Sequence, residues 1–345
     1  MFDYLVQLLR LLMYKGKMFR LLVFCFLLCS CATSPNKKSE VSPYERHQLA
    51  KLLMKHPKIS ESTLYLWLNQ RYQPYTVYRR FSKSKYSKVC GKSYDETKGR
   101  YFRVRYRSLD GLFVEAIVAF PKNFSPSKKY SAIIRNRGNY GENRRFNPCY
   151  INSFEKWTSK NYILFAPQYR GVLGGEGKDH WGGDDRYDVV SMTKIVSELD
   201  FVDAKNIFML GQSRGGGMAF LALKEGAKVN AVAVLCPQVN ILAGKGQGVD
   251  INDFYPGISE EEKVVKLKER SVVFWPEKIN TPTLMLVGAA DTSTPAAEVK
   301  KLSAALSKRG VENKTVIYPK TTHCMNGAPT SYVDEVSRWF DKFNR

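Results

Sequence analysis

Between residues 101 and 345, short runs rich in β-branched and aromatic residues recur along the chain: Tyr101–Tyr106, Leu112–Phe120, Ala132–Arg135, Ile163–Ala166, Ile207–Leu210, Ala231–Leu235, Thr283–Val287 and Thr315–Tyr318. Each reads as a β-strand. The first two are joined by Ser108-Leu109-Asp110-Gly111, and Asp-Gly is a strong hairpin turn signal. Most later runs are separated by stretches of helical periodicity: Asp188–Leu199, Gly217–Lys224, Ala296–Lys308 and Ser331–Phe343. In the first of these, Asp188 is placed to cap the helix, with Val189, Val190, Ile195 and Val196 on its apolar face. A hairpin followed by strand–helix alternation predicts an α/β fold, a mostly parallel eight-stranded sheet with helices on both faces. Such sheets place ligand sites beyond the carboxyl ends of their strands, so the chemistry is expected just after each strand.

The first hundred residues follow a different pattern. Lys15, Lys17 and Arg20 precede Leu21–Cys29, an apolar run too short to span a membrane. A basic head, a short apolar run and a small residue before a break predict a secretory signal over residues 1–30, with Met13 or Met18 as alternative starts. The break, Leu28-Cys29-Ser30-Cys31, resembles the bacterial lipoprotein box. That resemblance implies lipidation of Cys31, a tether over Ala32–Glu40 and a membrane-anchored place in the cell envelope. An ordinary signal peptide or a short anchor is the alternative. Residues 31–100 then form a tether and N-terminal extension, with short helices expected at Tyr44–Lys55 and Ser60–Asn69. Arg71–Tyr94 interleaves basic and aromatic residues without an anion and is expected to brace the main domain, residues 101–345.

Composition narrows the picture. Hydrophobic residues make up 44% and aromatics 13%, which excludes general disorder. The net charge is +22, and removing the signal leaves most of it. A basic exported protein meets anionic headgroups or acidic glycans, or uses its charge for solubility; nucleic acid is not the expected partner. Seven cysteines lack the paired spacing of a zinc site, so no metal is expected. Cys90 and Cys149 are free to pair in an oxidising compartment, and Cys236, ending an apolar strand, reads as a small core residue.

Three polar residues fall in strand-end loops. Gly211-Gln212-Ser213-Arg214-Gly215 follows one strand and opens a helix, the G-x-S-x-G arrangement that holds a serine on a sharp turn. Serine is a weak nucleophile and needs a base held by a third group. Asp291 follows strand Thr283–Val287, and His323, the only histidine after Ser213, follows the last strand. The order Ser, Asp, His is that of the α/β-hydrolase fold. Attack on a carbonyl also needs two donors for the oxyanion. One is expected from the backbone N–H of Arg214 and the other from the loop Asn136-Arg137-Gly138-Asn139-Tyr140-Gly141, at Gly138 or Asn139.

With these residues in place, the chain resembles the catalytic domain of the prolyl oligopeptidase family of serine peptidases. The matching stretches are Asn136-Arg137-Gly138, Ala166-Pro167-Gln168-Tyr169-Arg170-Gly171, Gly182-Gly183-Asp184-Asp185-Arg186-Tyr187-Asp188-Val189, Gly211-Gln212-Ser213-Arg214-Gly215-Gly216, and the segments around Asp291 and His323. The resemblance implies a Ser213–His323–Asp291 triad and hydrolysis of peptide, or other amide or ester, bonds without a cofactor. Residues 32–100 are too few for the propeller that many members carry, and Asn139 stands where a second glycine is usual. A carboxylesterase on the same scaffold and a catalytically silent binding lipoprotein are the other readings. Arg137, Tyr140 and Arg170 are candidate substrate contacts. Together with Arg135 and Arg214 these arginines predict a preference for anionic substrates, unless Arg170 and Arg214 brace loops through Asp184, Asp185 or Glu176.

Overall fold

The computed structural model describes residues 76–80, 100–139, 146, 151–243, 250–325 and 332–345. The signal, Cys31, the two short N-terminal helices, Cys90, Cys149 and Tyr140 lie outside the described residues. Strands are β1 (Thr76–Arg80), β2 (Arg100–Arg107), β3 (Phe113–Phe120), β4 (Tyr130–Asn136), β5 (Ile163–Pro167), β6 (Val202–Gln212), β7 (Ala231–Leu235), β8 (Thr283–Gly288) and β9 (Asn313–Tyr318). Helices are α1 (Ile151–Thr158), α2 (Arg186–Ser197), α3 (Arg214–Lys224), α4 (Glu260–Glu269), α5 (Ala296–Lys308) and α6 (Tyr332–Lys342). Among the described residues, no helix is long and apolar enough to cross a membrane.

The nine strands of the described residues form one sheet in the order β1-β2-β3-β5-β4-β6-β7-β8-β9. The pairs from β1 to β3, and β3 with β5, are antiparallel; the rest are parallel. The eight expected strands are present, and β1 is a ninth. It comes from the basic–aromatic segment read as a brace and pairs with β2, so that β2 is no longer the sheet's edge. Thr76-Val77-Tyr78 is a β-forming triplet whose signal is outweighed by the surrounding charge.

The central parallel strands β4, β5, β7 and β8 are buried almost throughout, on both faces of the sheet, which is why they read as unbroken apolar runs. All five residues of β7, Ala-Val-Ala-Val-Leu, are buried. On one face Phe208, Leu210, Ala233, Leu235, Leu284 and Leu286 meet α1 and α6. Helix α6 presents Val333, Val336 and Phe340 at helical spacing, and the Phe340 ring stacks on Phe208 with centroids 4.7 Å apart. On the other face α3 lies against Val234, close enough that a Cβ on Gly216 would touch it.

Two helical expectations change. Helix α2 starts at Arg186, with Asp185 at its N-cap position; Asp188 lies inside the first turn, fully buried, and is not a cap. Its carboxylate is turned to Arg170 instead, accepting from the Arg170 backbone N–H at 2.8 Å and from its guanidinium. Helix α4 was not expected, although Ser259 and Glu262 form a capping box at its start.

The chain leaves β4 toward β5, then crosses back past β4 to β6. The reversal opens a crevice between the carboxyl ends of β4 and β6, where Asn136 is in register with Gly211.

Candidate active site

Ser213 occupies the turn between β6 and α3 with φ 53 and ψ −122, a conformation that strains any residue with a side chain. The turn is held by the Ser213 N–H donating to the Leu235 carbonyl, and by the Ser213 carbonyl accepting from Gly216 and Gln238. Its flanks admit no side chain. A Cβ on Gly211 would lie 2.3 Å from the Gly215 carbonyl oxygen, and one on Gly215 would lie 2.3 Å from that of Asn136. The glycines of the motif therefore let strand, helix and the β4 loop meet around the serine.

The structure brings the three predicted residues together. Ser213 Oγ lies 2.9 Å from His323 Nε2, and His323 Nδ1 lies 2.9 and 3.0 Å from the two oxygens of Asp291. Asp291 also accepts from the N–H groups of Ser293 and Thr294 and from the Thr294 hydroxyl. Burial raises its pKa, but the hydrogen bonds from His323 and Thr294 prevail and leave it below the usual carboxylate range. An ionised carboxylate only accepts, so Nδ1 carries the hydrogen and Nε2 of the neutral ring is free to accept from Ser213. For His323 burial disfavours the cation, yet the bonds to Asp291 and to the Cys324 sulfur outweigh it and push the imidazole up to about 10.

The oxyanion expectations fall at the same place. Arg214 is the first residue of α3, whose opening N–H groups lack intrahelical acceptors by construction. Gly138 faces the turn: a Cβ there would lie 3.1 Å from the Gln212 carbonyl oxygen and 3.2 Å from Ser213 Cβ. Asn139 follows with φ 57.

The arginines do not stand as free cations, and the expected substrate contacts at Arg137 and Arg170 are corrected. Arg170 is buried and pairs with Asp188 at 2.8 Å and Asp110 at 2.6 Å, tying the end of β5 to α2 and to the β2–β3 hairpin. Arg214 is 1% exposed and pairs with Asp179 and Asp185. Arg137 is 2% exposed; its Nε donates to the Gln168 carbonyl at 2.9 Å and its Nη1 reaches the carbonyls of Gly138 and Asn139. Arg214 Nη1 donates to the same Asn139 carbonyl at 3.0 Å, and both guanidiniums stack on Tyr169. Buried guanidiniums require partners, and here the partners are the loops that frame Ser213. Arg135 donates to the carbonyls of Asn136 and Leu210 and to Gln212 Oε1. It borders a cavity of about 220 Å³ that opens beside Gly138 and Asn139 and is walled by Phe146, Trp157 and Tyr332.

Sequence reasoning missed Asp179, the shared acid of Arg137 and Arg214, because no motif marks it. It also missed that Cys236 and Cys324 converge beside His323.

Comparisons with known proteins bear on the same region. The family model described as the prolyl oligopeptidase family matches residues 150–344. The uncharacterized peptidase YuxL of Bacillus subtilis is 25% identical over 255 residues, covering 69% of this chain and 38% of that protein. Dipeptidyl-peptidase 5 of Aspergillus fumigatus is 27% identical over 264 residues, covering 67% of this chain and 34% of that protein. The chain thus spans about a third to two fifths of the length of these relatives. The crystal structure of Porphyromonas gingivalis dipeptidyl peptidase 4 superposes with a TM-score of 0.59 at 19% identity, covering 71% of this chain and 35% of that one. A puromycin-hydrolyzing peptidase of Mycobacterium tuberculosis gives 0.62 at 16%, covering 72% and 40%. These likenesses show the α/β-hydrolase fold. With the family model covering more than half of the 345 residues, this chain belongs to the prolyl oligopeptidase family.

Proposed function

We propose that the protein is a serine peptidase that cleaves amide bonds through an acyl-enzyme, with Ser213 as nucleophile, His323 as general base and acid, and Asp291 as the group that orients the imidazole. The observation that carries this reading is the continuous hydrogen-bonded path from Ser213 Oγ through His323 to Asp291, on a serine held in a strained turn. As Oγ attacks the substrate carbonyl, His323 Nε2 takes its proton, and Asp291 stabilises the resulting imidazolium. The developing oxyanion is assigned to the N–H of Arg214 and to one from Gly138 or Asn139. Collapse expels the amine, which leaves with the proton from His323; water then repeats the sequence on the acyl-enzyme. The peptidase names of the relatives support peptide substrates. Acyl esters are expected to react too, since an alcohol leaves with less need for the proton.

A fluorophosphonate reagent tests the assignment. It labels Ser213 in wild type and fails to label Ser213→Ala; equal labelling of both would refute it. A screen of peptide anilides against acyl esters then sets the preferred bond. For location, the box ending at Cys31 supports a lipid-anchored envelope protein. Cys31→Ser should leave an unprocessed or released protein, and an unchanged mass and membrane fraction would count against the anchor.

A further inference from the structure

We propose that Cys236, Cys324 and His323 form a binding site for a thiophilic divalent cation of the Zn²⁺ class, and that the bound cation holds the hydrolase off. The second half of this statement rests on the catalytic reading above; the first does not.

The two sulfurs and one ring nitrogen of His323 all lie within 4.8 Å of one another. In a tetrahedral zinc site, with sulfur at about 2.3 Å and nitrogen at about 2.0–2.1 Å from the metal, ligand atoms stand roughly 3.5–3.8 Å apart. Small side-chain movements therefore close this cluster to ligating distance. The residues come from two strand ends. Cys236 follows β7 and is fully buried, whereas Cys324 follows His323 in the loop after β9 and is partly exposed. Both cysteines have left-handed backbone, φ 41 and φ 56, and their sulfurs lie beside one imidazole. The His323 side chain is 34% exposed, so a cation reaches the cluster from the catalytic cleft.

Thiolates and imidazole are the donor set that zinc prefers, and three protein ligands leave the fourth position to solvent. Binding takes two thiolates and one imidazole lone pair, so every proton that Cys236, Cys324 and the ligating nitrogen of His323 hold beforehand goes to solvent; nothing is oxidised or reduced. If the metal takes Nε2, it occupies the lone pair that would accept the Ser213 proton. If it takes Nδ1, it displaces Asp291. On either nitrogen the base is lost.

The test uses the full chain, kept reduced and stripped with a chelator. Co²⁺ is added as a spectroscopic probe and Zn²⁺ as competitor. The expected result is one Co²⁺ per chain with thiolate-to-cobalt charge-transfer absorption, displaced by Zn²⁺. Cys236→Ala and Cys324→Ala should each weaken binding beyond the roughly 10- to 100-fold typical of losing a mere outer-shell partner. Cys236→Ser and Cys324→Ser, checked by circular dichroism, serve if an alanine variant misfolds. Saturating Zn²⁺ should slow fluorophosphonate labelling of wild type at least about tenfold, with recovery on chelation, the size of effect expected when the base is sequestered. Cys324→Ala should label at the same rate with and without Zn²⁺. Ser213→Ala should keep the cobalt absorption, which separates the metal site from the catalytic reading. Absence of thiolate absorption, absorption unchanged in both cysteine variants, or labelling unimpeded at saturation would each overturn the proposal. If metal-free wild type never labels, the catalytic reading falls and the inhibitory half with it, while the cobalt absorption still decides whether the site binds.

Discussion

Asp291 and His323 share one proton path with Ser213, and each leaves a distinct signature. Asp291→Asn would present an amide donor to Nδ1 and favour the wrong tautomer, so turnover should fall by roughly three to four orders of magnitude while the Ser213 hydroxyl stays in place. Turnover of both proteins on one anilide checks this. The pH dependence has a definite sign. His323 must be neutral to accept the Ser213 proton, and its pKa is raised toward about 10. Activity in the presence of a chelator should therefore climb through mildly alkaline pH rather than level off near neutrality. Cys324→Ser removes one cause of the shift and should move the rising limb to lower pH; an unmoved limb would show that the sulfur has no part in it. The stabilisation from protonated His323 is complete below the unfolded value of about 6.5 and is lost as pH rises through the folded value. The triad was legible in the sequence because each member lies within five residues of a strand's end, and strand ends are visible as the end of an apolar run. The arginines were not. A cation in a loop reads as free until its carboxylate is known, and Asp179 reaches Arg137 and Arg214 only through the fold.

Elements whose signal is local were recovered, and those defined by partners were shifted or missed. The boundaries of α5 coincide with the expected Ala296–Lys308 because its periodicity and Pro295 mark them. Asp188 reads as a cap in sequence because a buried ion pair and a capping carboxylate look alike there. Helix α4 carries a legible capping box beside a segment with no buried residue, and without an apolar face the box alone did not predict it. Helix α6 is the opposite case, its place fixed by packing. Phe340 is fully buried against Phe208, and Phe340→Ala should cost about 3–5 kcal/mol of unfolding free energy. Chemical denaturation measures this; a loss below about 1 kcal/mol would mean that α6 is not anchored through this ring.

At the scale of the whole molecule, β1 is the outermost strand of the sheet among the described residues. It pairs along β2 from Thr76 to Arg80, so a fragment beginning at residue 100 would present β2 as an open edge. Unpaired edges recruit other strands. That fragment should self-associate at concentrations where the full chain does not, as light scattering would show; equal behaviour of the two would mean that β1 has no protective role. The eight-stranded expectation placed the sheet's edge one strand too early because edge strands need little apolar patterning and β1 sits among charges.

The strain at Ser213 sets the needs of the reaction against those of the fold. Its φ of 53 and ψ of −122 suit glycine alone. Ser213→Ala and Ser213→Gly both lack the hydroxyl and differ by one carbon, so their comparison isolates the backbone. The glycine protein should be the more stable by about 1 kcal/mol, and the reverse order in thermal or chemical denaturation would show that the turn is relaxed. If glycine is favoured here, a lineage released from catalysis would gain stability by dropping the side chain. Serine at this position is then a residue kept against the fold's own interest, and its presence is itself a mark of use.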